Sequence, residues 1–173
     1  MKIYHGSKNC FKKFDLERAR EHGTQEGVGF YCTDNKSVAY RYGSNGYVMT
    51  YEFKGKKAIS SKKQTVSRKE WAKYILALDK EDEFLSNYGD IHWEGVDSVL
   101  NTALDNLLED GDDDVEILGG ICNASGSLSS PIELFCKTLG YDHAIIDADW
   151  GNQKIYLILN NKALKLIETE KVV

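Results

Sequence analysis

The chain lacks a long hydrophobic run, and this excludes several classes of protein. No apolar stretch in its 173 residues approaches the roughly 20 that a membrane-spanning helix needs. The opening residues, MKIYHGSKN, contain no apolar signal-peptide core, so we expect a cytoplasmic protein that does not engage a membrane. The net charge of −5 argues against a surface that coats nucleic acid generally, although a local basic groove stays open.

Residues typical of metal sites and disulfide frameworks are also sparse. The four cysteines, at positions 10, 32, 122 and 136, are not spaced as metal ligands, and the four histidines form no HExxH pattern. We therefore predict no metal site and expect reduced, mostly buried thiols. The pair Gly27 and Gly29 lacks the strand–turn–helix context of a dinucleotide-binding G-x-G-x-x-G motif, which excludes a Rossmann-type hydride carrier.

The hydrophobic patterning predicts an α+β protein in which helices are segregated between β-rich ends. Helices are predicted at 34–43, capped by Thr33 or Asp34, and at 67–80, where Ser67 and Glu70 form a capping-box pair. Two further helices are predicted within 94–114 and 130–140. We expect a single domain over residues 1–173, with a helical insertion at about 64–138.

Smaller features of the pattern complete this prediction. The only proline, Pro131, follows Ser130, which is expected to cap the last helix. Strands are expected at 2–5, 28–33, 47–55, 141–147 and 154–160, with a tail at 162–171. The acidic run 109–114 is interpreted as a solvated loop, since it lacks the spacing of a calcium-binding EF-hand.

Tyrosines are concentrated in the segment GVGFYCTDNKSVAYRYG, residues 27–43. Tyr31 falls on a predicted strand and Tyr42 at the end of the helix that follows. Two rings placed in this way can sandwich a flat heterocycle, and such stacking contributes about 0.5–1.5 kcal/mol per pair beyond burial. Gly29, like Gly6 earlier in the chain, allows backbone to approach a ligand closely.

These residues, in this order, resemble the ADP-ribosyltransferase superfamily of the diphtheria-toxin and poly(ADP-ribose) polymerase type. The resemblance covers about residues 2–53 and 139–167. Its elements are a first-strand His-Gly, then G-x-Y-x-T leading into a helix that ends in a second tyrosine. The matching residues are His5, Gly6, Ser7, Gly29, Tyr31, Thr33, Ala39 and Tyr42.

The resemblance implies a split β-sheet core and NAD+ as a substrate. It implies that Tyr31 and Tyr42 hold the nicotinamide ring, that the backbone of Gly6 bonds the carboxamide, and that His5 bonds a ribose hydroxyl. Residues 15–26 match the position of a loop that covers the adenosine half of NAD+ in relatives. Arg18 and Arg20 there are candidate diphosphate contacts, the alternative being a solvated charged helix face.

The chain departs from the family pattern at Ile155, which falls where the family usually has its catalytic glutamate. Three interpretations stay open: a mono-ADP-ribosyltransferase of the His-Tyr-Ile kind, a shifted register in which Asp147, Asp149 or Gln153 reaches the site, or a domain that binds NAD+ without turnover. Gln153 shares a strand face with Ile155 and is a candidate contact for the acceptor. Trp150 is either an acceptor-recognition ring or a hydrophobic lid residue.

We therefore expect an NAD+-dependent mono-ADP-ribosyltransferase of bacterial or phage style, toxin-like in its motifs. Its acceptor is expected to be a macromolecule, with protein favoured and nucleic acid not excluded. The alternative is an inactive relative that binds NAD+ or ADP-ribose. A third hypothesis, an acidic inhibitor of a basic surface, depends on the run from Glu109 to Asp114.

Overall fold

The computed structural model describes residues 1–21, 28–147 and 153–173, except for the side chains of residues 19–21. Within the described part, seven strands and seven α-helices confirm the predicted α+β class. None of the helices in these ranges combines the length and apolarity required to span a bilayer.

The described residues divide into two compact units. The first comprises 1–21, 29–58, 142–147 and 153–173, and the second comprises 28 and 59–141. The single domain expected over residues 1–173 stays a prediction.

Seven strands form one sheet. In chain order they are β1 (Lys2–Ser7), β2 (Phe30–Thr33), β3 (Tyr47–Phe53), β4 (Ala58–Ile59), β5 (His143–Asp147), β6 (Lys154–Ile158) and β7 (Leu164–Lys171). Their order across the sheet is β4-β5-β6-β2-β1-β3-β7. The pairs β1–β2, β1–β3, β2–β6, β3–β7 and β5–β6 are antiparallel.

The sheet of the first unit buries β-branched and aromatic side chains, the types that suit a pleated surface. Ile3 on β1 and Val48 and Met49 on β3 are completely buried, as are Leu157 and Ile158 on β6. These positions form the core on which the site described below is built.

β7 is a finding that the sequence interpretation missed. Residues 162–171 were expected to be a tail, but Leu164–Lys171 pair with β3 along its whole length, from Phe53↔Leu164 to Tyr47↔Lys171. The strand lies at the edge of the sheet, where lysines and glutamates are common. The same charged residues make the segment resemble a solvated tail in the sequence. Charged edge strands resist pairing with other chains.

Two helices belong to the first unit, α1 (Leu16–Glu21) and α2 (Lys36–Tyr42). The predicted cap of α2 is wrong by one or two residues: Asn35, not Thr33 or Asp34, occupies the N-cap, and its side chain accepts from the Ser37 amide at 3.0 Å. Asp34 instead accepts from the Lys154 amide at 3.0 Å and so joins the start of α2 to the start of β6. Gly43 ends the helix as predicted.

The second unit is helical. Its helices are α3 (Arg68–Asp82), α4 (Ile91–Glu94), α5 (Val96–Asp110), α6 (Asp114–Ala124) and α7 (Ser129–Leu139), with a 3-10 turn at Phe84–Asn87. The capping box of Ser67 and Glu70 is confirmed at the start of α3. At the start of α7 the prediction is wrong, because Leu128 is the N-cap and Ser130 lies inside the first turn.

An aromatic cluster holds α3 against α7 within this unit. The ring of Phe135 lies 5.4 Å from Trp71 and 5.1 Å from Tyr74, measured between centroids. The Tyr74 hydroxyl donates to the Pro131 carbonyl at 2.9 Å, which satisfies its buried polar group. Truncating a buried aromatic of this kind typically costs about 3–5 kcal/mol.

The acidic run 109–114 is not the solvated loop that was expected. Its first two residues end α5, Asp113 caps α6, and Asp114 is completely buried. The Asp114 carboxylate accepts hydrogen bonds from the amides of Ser60, Thr65 and Val66, at 2.9–3.1 Å, and from the Thr65 hydroxyl. One carboxylate thus holds the segment that precedes α3 to the start of α6.

Removing this carboxylate should destabilise the protein strongly. Asp114→Ala removes the acceptor of the Ser60, Thr65 and Val66 amides, and we expect the free energy of unfolding to fall by about 3–5 kcal/mol. Asp112→Ala, at an exposed position of the same acidic run, should change it by less than about 0.5 kcal/mol. Urea denaturation of both variants measures the difference, and similar losses in the two would contradict the role given to Asp114.

Candidate functional site

The site lies where two neighbouring strands of the first unit separate. β1 and β2 share one registered pair, Tyr4↔Thr33. Beyond it each strand continues with its other neighbour, β1 with β3 as far as Ser7↔Tyr47, and β2 with β6 as far as Phe30↔Ile158. The ends of β1 and β2 therefore stay ordered while a cleft opens between them.

This cleft has a volume of about 250 Å³ and is open to solvent. It is lined by His5, Ser7, Asn9, Phe11, Lys13, Phe14, Asp15, Arg18, Gly29, Phe30 and Tyr31. Five of the residues singled out from the sequence are thus brought together: His5, Ser7, Arg18, Gly29 and Tyr31. Gly6, Thr33, Tyr42, Gln153 and Ile155 are not among the lining residues.

His5 bridges the two separating strands. Its Nδ1 lies 2.6 Å from the carbonyl oxygen of Tyr31. Because a carbonyl can only accept, Nδ1 carries the proton and donates it, which leaves Nε2 with a lone pair. Burial lowers the pKa of His5 to about 4, against the opposing effect of the bond to Tyr31, so the imidazole is neutral near pH 7.

A cluster of phenylalanines supports this histidine, and the sequence interpretation missed it. Phe30 lies 4.2 Å from the His5 ring and 4.7 Å from Phe14, with which it is stacked almost in parallel. Phe11 completes the cluster at 5.6 Å from Phe30. The only signal was the pair of phenylalanines in CFKKF, residues 10–14, and two residues are too few to establish a periodicity that would mark them as buried.

Two charged residues that line the cleft, Arg18 and Asp15, form an ion pair. The Arg18 Nε lies 3.9 Å from the Asp15 carboxylate, and the Arg18 side chain is 83% exposed. A long ion pair between exposed groups holds neither side chain firmly, so the guanidinium is available to an anionic ligand.

Gly6 and Gly29 are required for close packing of backbone. A Cβ on Gly6 would collide with the Ala39 carbonyl of α2 and would lie 2.5 Å from the Gly43 amide nitrogen. Gly29 has φ of +154° and directly precedes β2, where a Cβ would lie 3.2 Å from that of Leu157. The end of α2 therefore lies against β1 at the residue after His5.

Tyr42 is the last residue of α2 and is 65% exposed. It directly precedes Gly43, whose amide faces Gly6, so its backbone is close to the first strand. The third tyrosine of the segment, Tyr40, has a different role: its hydroxyl donates to the Glu170 carboxylate of β7 at 2.5 Å. Lys36 pairs with the same carboxylate at 3.1 Å, and both contacts lower the pKa of Glu170.

Thr33 and Ile155 are adjacent positions of β2 and β6. Thr33 is buried, and its hydroxyl accepts from the Asn35 amide at 3.1 Å, which contributes to the turn into α2. Ile155 is paired with Thr33 on one side and with Ile146 on the other. Both residues have structural partners in the middle of the sheet.

Gln153 precedes β6 and is only 4% exposed. Neither Nε2 nor Oε1 of its amide has a hydrogen-bond partner among the described residues. A buried amide without partners is costly, so native proteins seldom retain one where no other group uses it.

The remaining candidates are less informative. Asp147 ends β5 opposite Lys154 and is exposed. The side chain of Arg20, and the whole of Asp149 and Trp150, lie outside the described residues.

Comparison with known proteins identifies one family. The family model described as "Protein of unknown function (DUF3990)" matches residues 1–110, which include β1–β4 and all the residues that line the cleft. No curated protein and no solved structure matches the chain.

The low pKa of His5 should make stability depend on pH. The folded-state pKa of about 4 is below the ordinary value of 6.5, so the unfolded chain binds a proton more readily between these values. The contribution of neutral His5 to the free energy of unfolding is complete above pH 6.5 and is lost as the pH falls towards 4. Urea denaturation at a series of pH values should show this decline for the parent protein and a flatter profile for His5→Gln. Equal slopes would contradict the assignment.

Replacing the Gln153 amide by an apolar group of similar length should not harm the fold. We expect Gln153→Met to raise the free energy of unfolding by about 1 kcal/mol, because it removes a buried amide that has no partner in the described part of the chain. Gln64→Met is the matched control: the Gln64 amide donates to the carbonyls of Leu108 and Gly111, each at 2.7 Å, and its loss should be destabilising. Thermal unfolding of both variants distinguishes them, and destabilisation by Gln153→Met would show that its amide is already paired.

Proposed function

The chain belongs to the DUF3990 family, and we propose that it is an NAD+-dependent mono-ADP-ribosyltransferase. The observation that carries the proposal is the His5–Tyr31 bond at the opening between β1 and β2. The cleft at this opening is lined by His5, whose imidazole is neutral and has a defined tautomer, and by Tyr31 and Gly29. These are the elements expected of the superfamily that the sequence resembles, which has a split sheet at its core.

In the proposed complex, nicotinamide occupies the space between Tyr31 and Tyr42. Support for this comes from Gly6, which allows the end of α2 to lie against β1 and so brings the backbone beside Tyr42 close to His5. The Nε2 lone pair of His5 accepts a hydrogen bond from a ribose hydroxyl, which an Nε2–H tautomer could not do. Arg18, weakly held by Asp15, binds the diphosphate.

The reaction is a displacement at C1′ of the ribose. The bond from C1′ to the nicotinamide nitrogen breaks, and nicotinamide leaves with the electron pair. The acceptor's nucleophilic atom forms a new bond to C1′ and releases its proton to solvent. Positive charge develops on the sugar, so a nearby carboxylate lowers the barrier.

Ile155 cannot provide that carboxylate, and in our proposal the acceptor provides it. This favours a macromolecule that presents an Asp or Glu side chain beside the cleft, and protein is the acceptor class we propose. The amide of Gln153, two residues before Ile155, has no partner among the described residues, and it is the group we assign to orienting this acceptor. We place the reaction in the cytoplasm, where NAD+ is available.

Ile155 also favours a second function, which is binding of NAD+ or ADP-ribose without catalysis. A relative that binds NAD+ or ADP-ribose without turnover needs the cleft but no acid, and Ile155 is integrated into the sheet between Thr33 and Ile146. The two functions share His5, Tyr31 and Arg18 and differ only in whether nicotinamide is released.

Incubation with NAD+ and candidate acceptor proteins tests the proposal. The parent protein should release nicotinamide and label the acceptor with ADP-ribose, and His5→Ala should abolish both. His92→Ala, at an exposed histidine of the helical unit, should retain full turnover. Tyr42→Ala should weaken NAD+ binding about threefold to tenfold through lost stacking, whereas Tyr42→Phe keeps the ring and should bind normally.

The outcomes separate the alternatives. Calorimetric binding of NAD+ that requires His5, with no nicotinamide released, would support the binding relative. Absence of NAD+ binding would contradict both functions, and turnover that survives in His5→Ala would contradict the role given to His5.

A further inference from the structure

A tryptophan of the helical unit is almost fully exposed. Trp93 is 88% exposed on α4, and Val96, at the start of α5, is 43% exposed. Tryptophan is usually well buried, and where it lies on a surface it is among the residues most enriched at the centres of protein interfaces.

The backbone that carries Trp93 is held firmly. The Asp90 side chain accepts from the His92 amide at 2.9 Å, and the Asp90 amide donates to the Glu94 carboxylate at 3.0 Å, so the two ends of α4 cap each other. Gly95 closes the turn with φ of 82° and donates to the Ile91 carbonyl at 3.0 Å. A short helix fixed in this way presents its tryptophan with little conformational entropy left to lose on binding.

The surface beside this helix is negatively charged. A cleft of about 730 Å³ begins at the residue before Trp93 and is lined by Asp79, Glu83, Ser86, Gly89, Asp90, Ile91 and His92. Three of these seven are carboxylates and none is Lys or Arg. The Glu83 carboxylate has no partner among the described residues, whereas that of Asp79 accepts from the Leu85 amide at 2.8 Å.

We propose that the Trp93 surface, meaning Trp93 with Asp79, Glu83 and Asp90, docks an arginine-bearing basic segment of a partner protein. The guanidinium groups of such a segment can stack on the indole face and pair with the carboxylates of the cleft, two interactions that suit Arg better than Lys. The charge of the cleft excludes an acidic partner. This inference goes beyond the proposed function, because every residue involved belongs to the helical unit and NAD+ has no part in it.

Calorimetric titration with a synthetic oligoarginine peptide tests the proposal. The parent protein should bind it more tightly than an oligolysine peptide of equal length, and binding should weaken as salt is raised. Trp93→Ala should reduce the affinity about tenfold, and Glu83→Gln about threefold. Ile167→Ala, at a half-exposed apolar position of β7, is the matched control and should bind as the parent does. The same affinities are expected with His5→Ala, so failure of the enzymatic proposal would not affect this result.

Three results would overturn the proposal. The first is oligoarginine binding that Trp93→Ala leaves unchanged, with circular dichroism showing that this variant is folded. The second is equal affinity for an oligoglutamate peptide. The third is a dimer of the parent protein in sedimentation that Trp93→Ala converts to monomer, which would identify a second copy of the chain as the occupant.

Discussion

The hydrogen bond from the His5 imidazole to the Tyr31 carbonyl is the interaction on which the candidate site depends. It forms where the ladder between β1 and β2 has ended, so a side chain replaces the missing contact between strands. The bond ties both strands to a defined separation and fixes the imidazole tautomer. Phe30, at 4.2 Å from the ring, limits access of water and keeps the pKa of His5 low.

The position of Ile155 limits the chemistry that this cleft can perform. Its neighbours across the sheet are Thr33 and Ile146, an arrangement typical of a structural residue. Among the described residues that line the cleft, Asp15 has the only carboxylate, and it faces Arg18. In the proposed reaction, the carboxylate that stabilises an oxocarbenium-like transition state is the one we assign to the acceptor, and this makes acceptor geometry a condition for turnover.

The sequence predicted those features that depend on local periodicity and failed where distant contacts decide. The capping box at Ser67 and the helix that ends at Gly43 follow from residues within a few positions of each other. Asp114 looked like part of a solvated run because its partners, at residues 60–66, lie about fifty positions earlier in the chain. β7 was missed for a related reason: an edge strand carries the charges of a tail, and only its pairing with β3 distinguishes the two. In the site, His5 and Tyr31 were identifiable by motif, whereas the phenylalanine cluster has no pattern in sequence.

Two side chains depart from the usual pattern of burial, since polar Gln153 is buried and apolar Trp93 is exposed. The two departures have different physical consequences. Gln153 is buried, and its amide has no hydrogen-bond partner among the described residues, an arrangement that costs stability until another group pairs with the amide. Trp93 is exposed on a helix too well capped to rearrange, which forgoes the stabilisation that burying an indole provides. Methionine at position 153 would avoid the cost of the buried amide, whereas a polar residue at position 93 would leave stability nearly unchanged. We interpret both side chains as groups available for binding, Gln153 beside β6 in the sheet-containing unit and Trp93 on the helical unit.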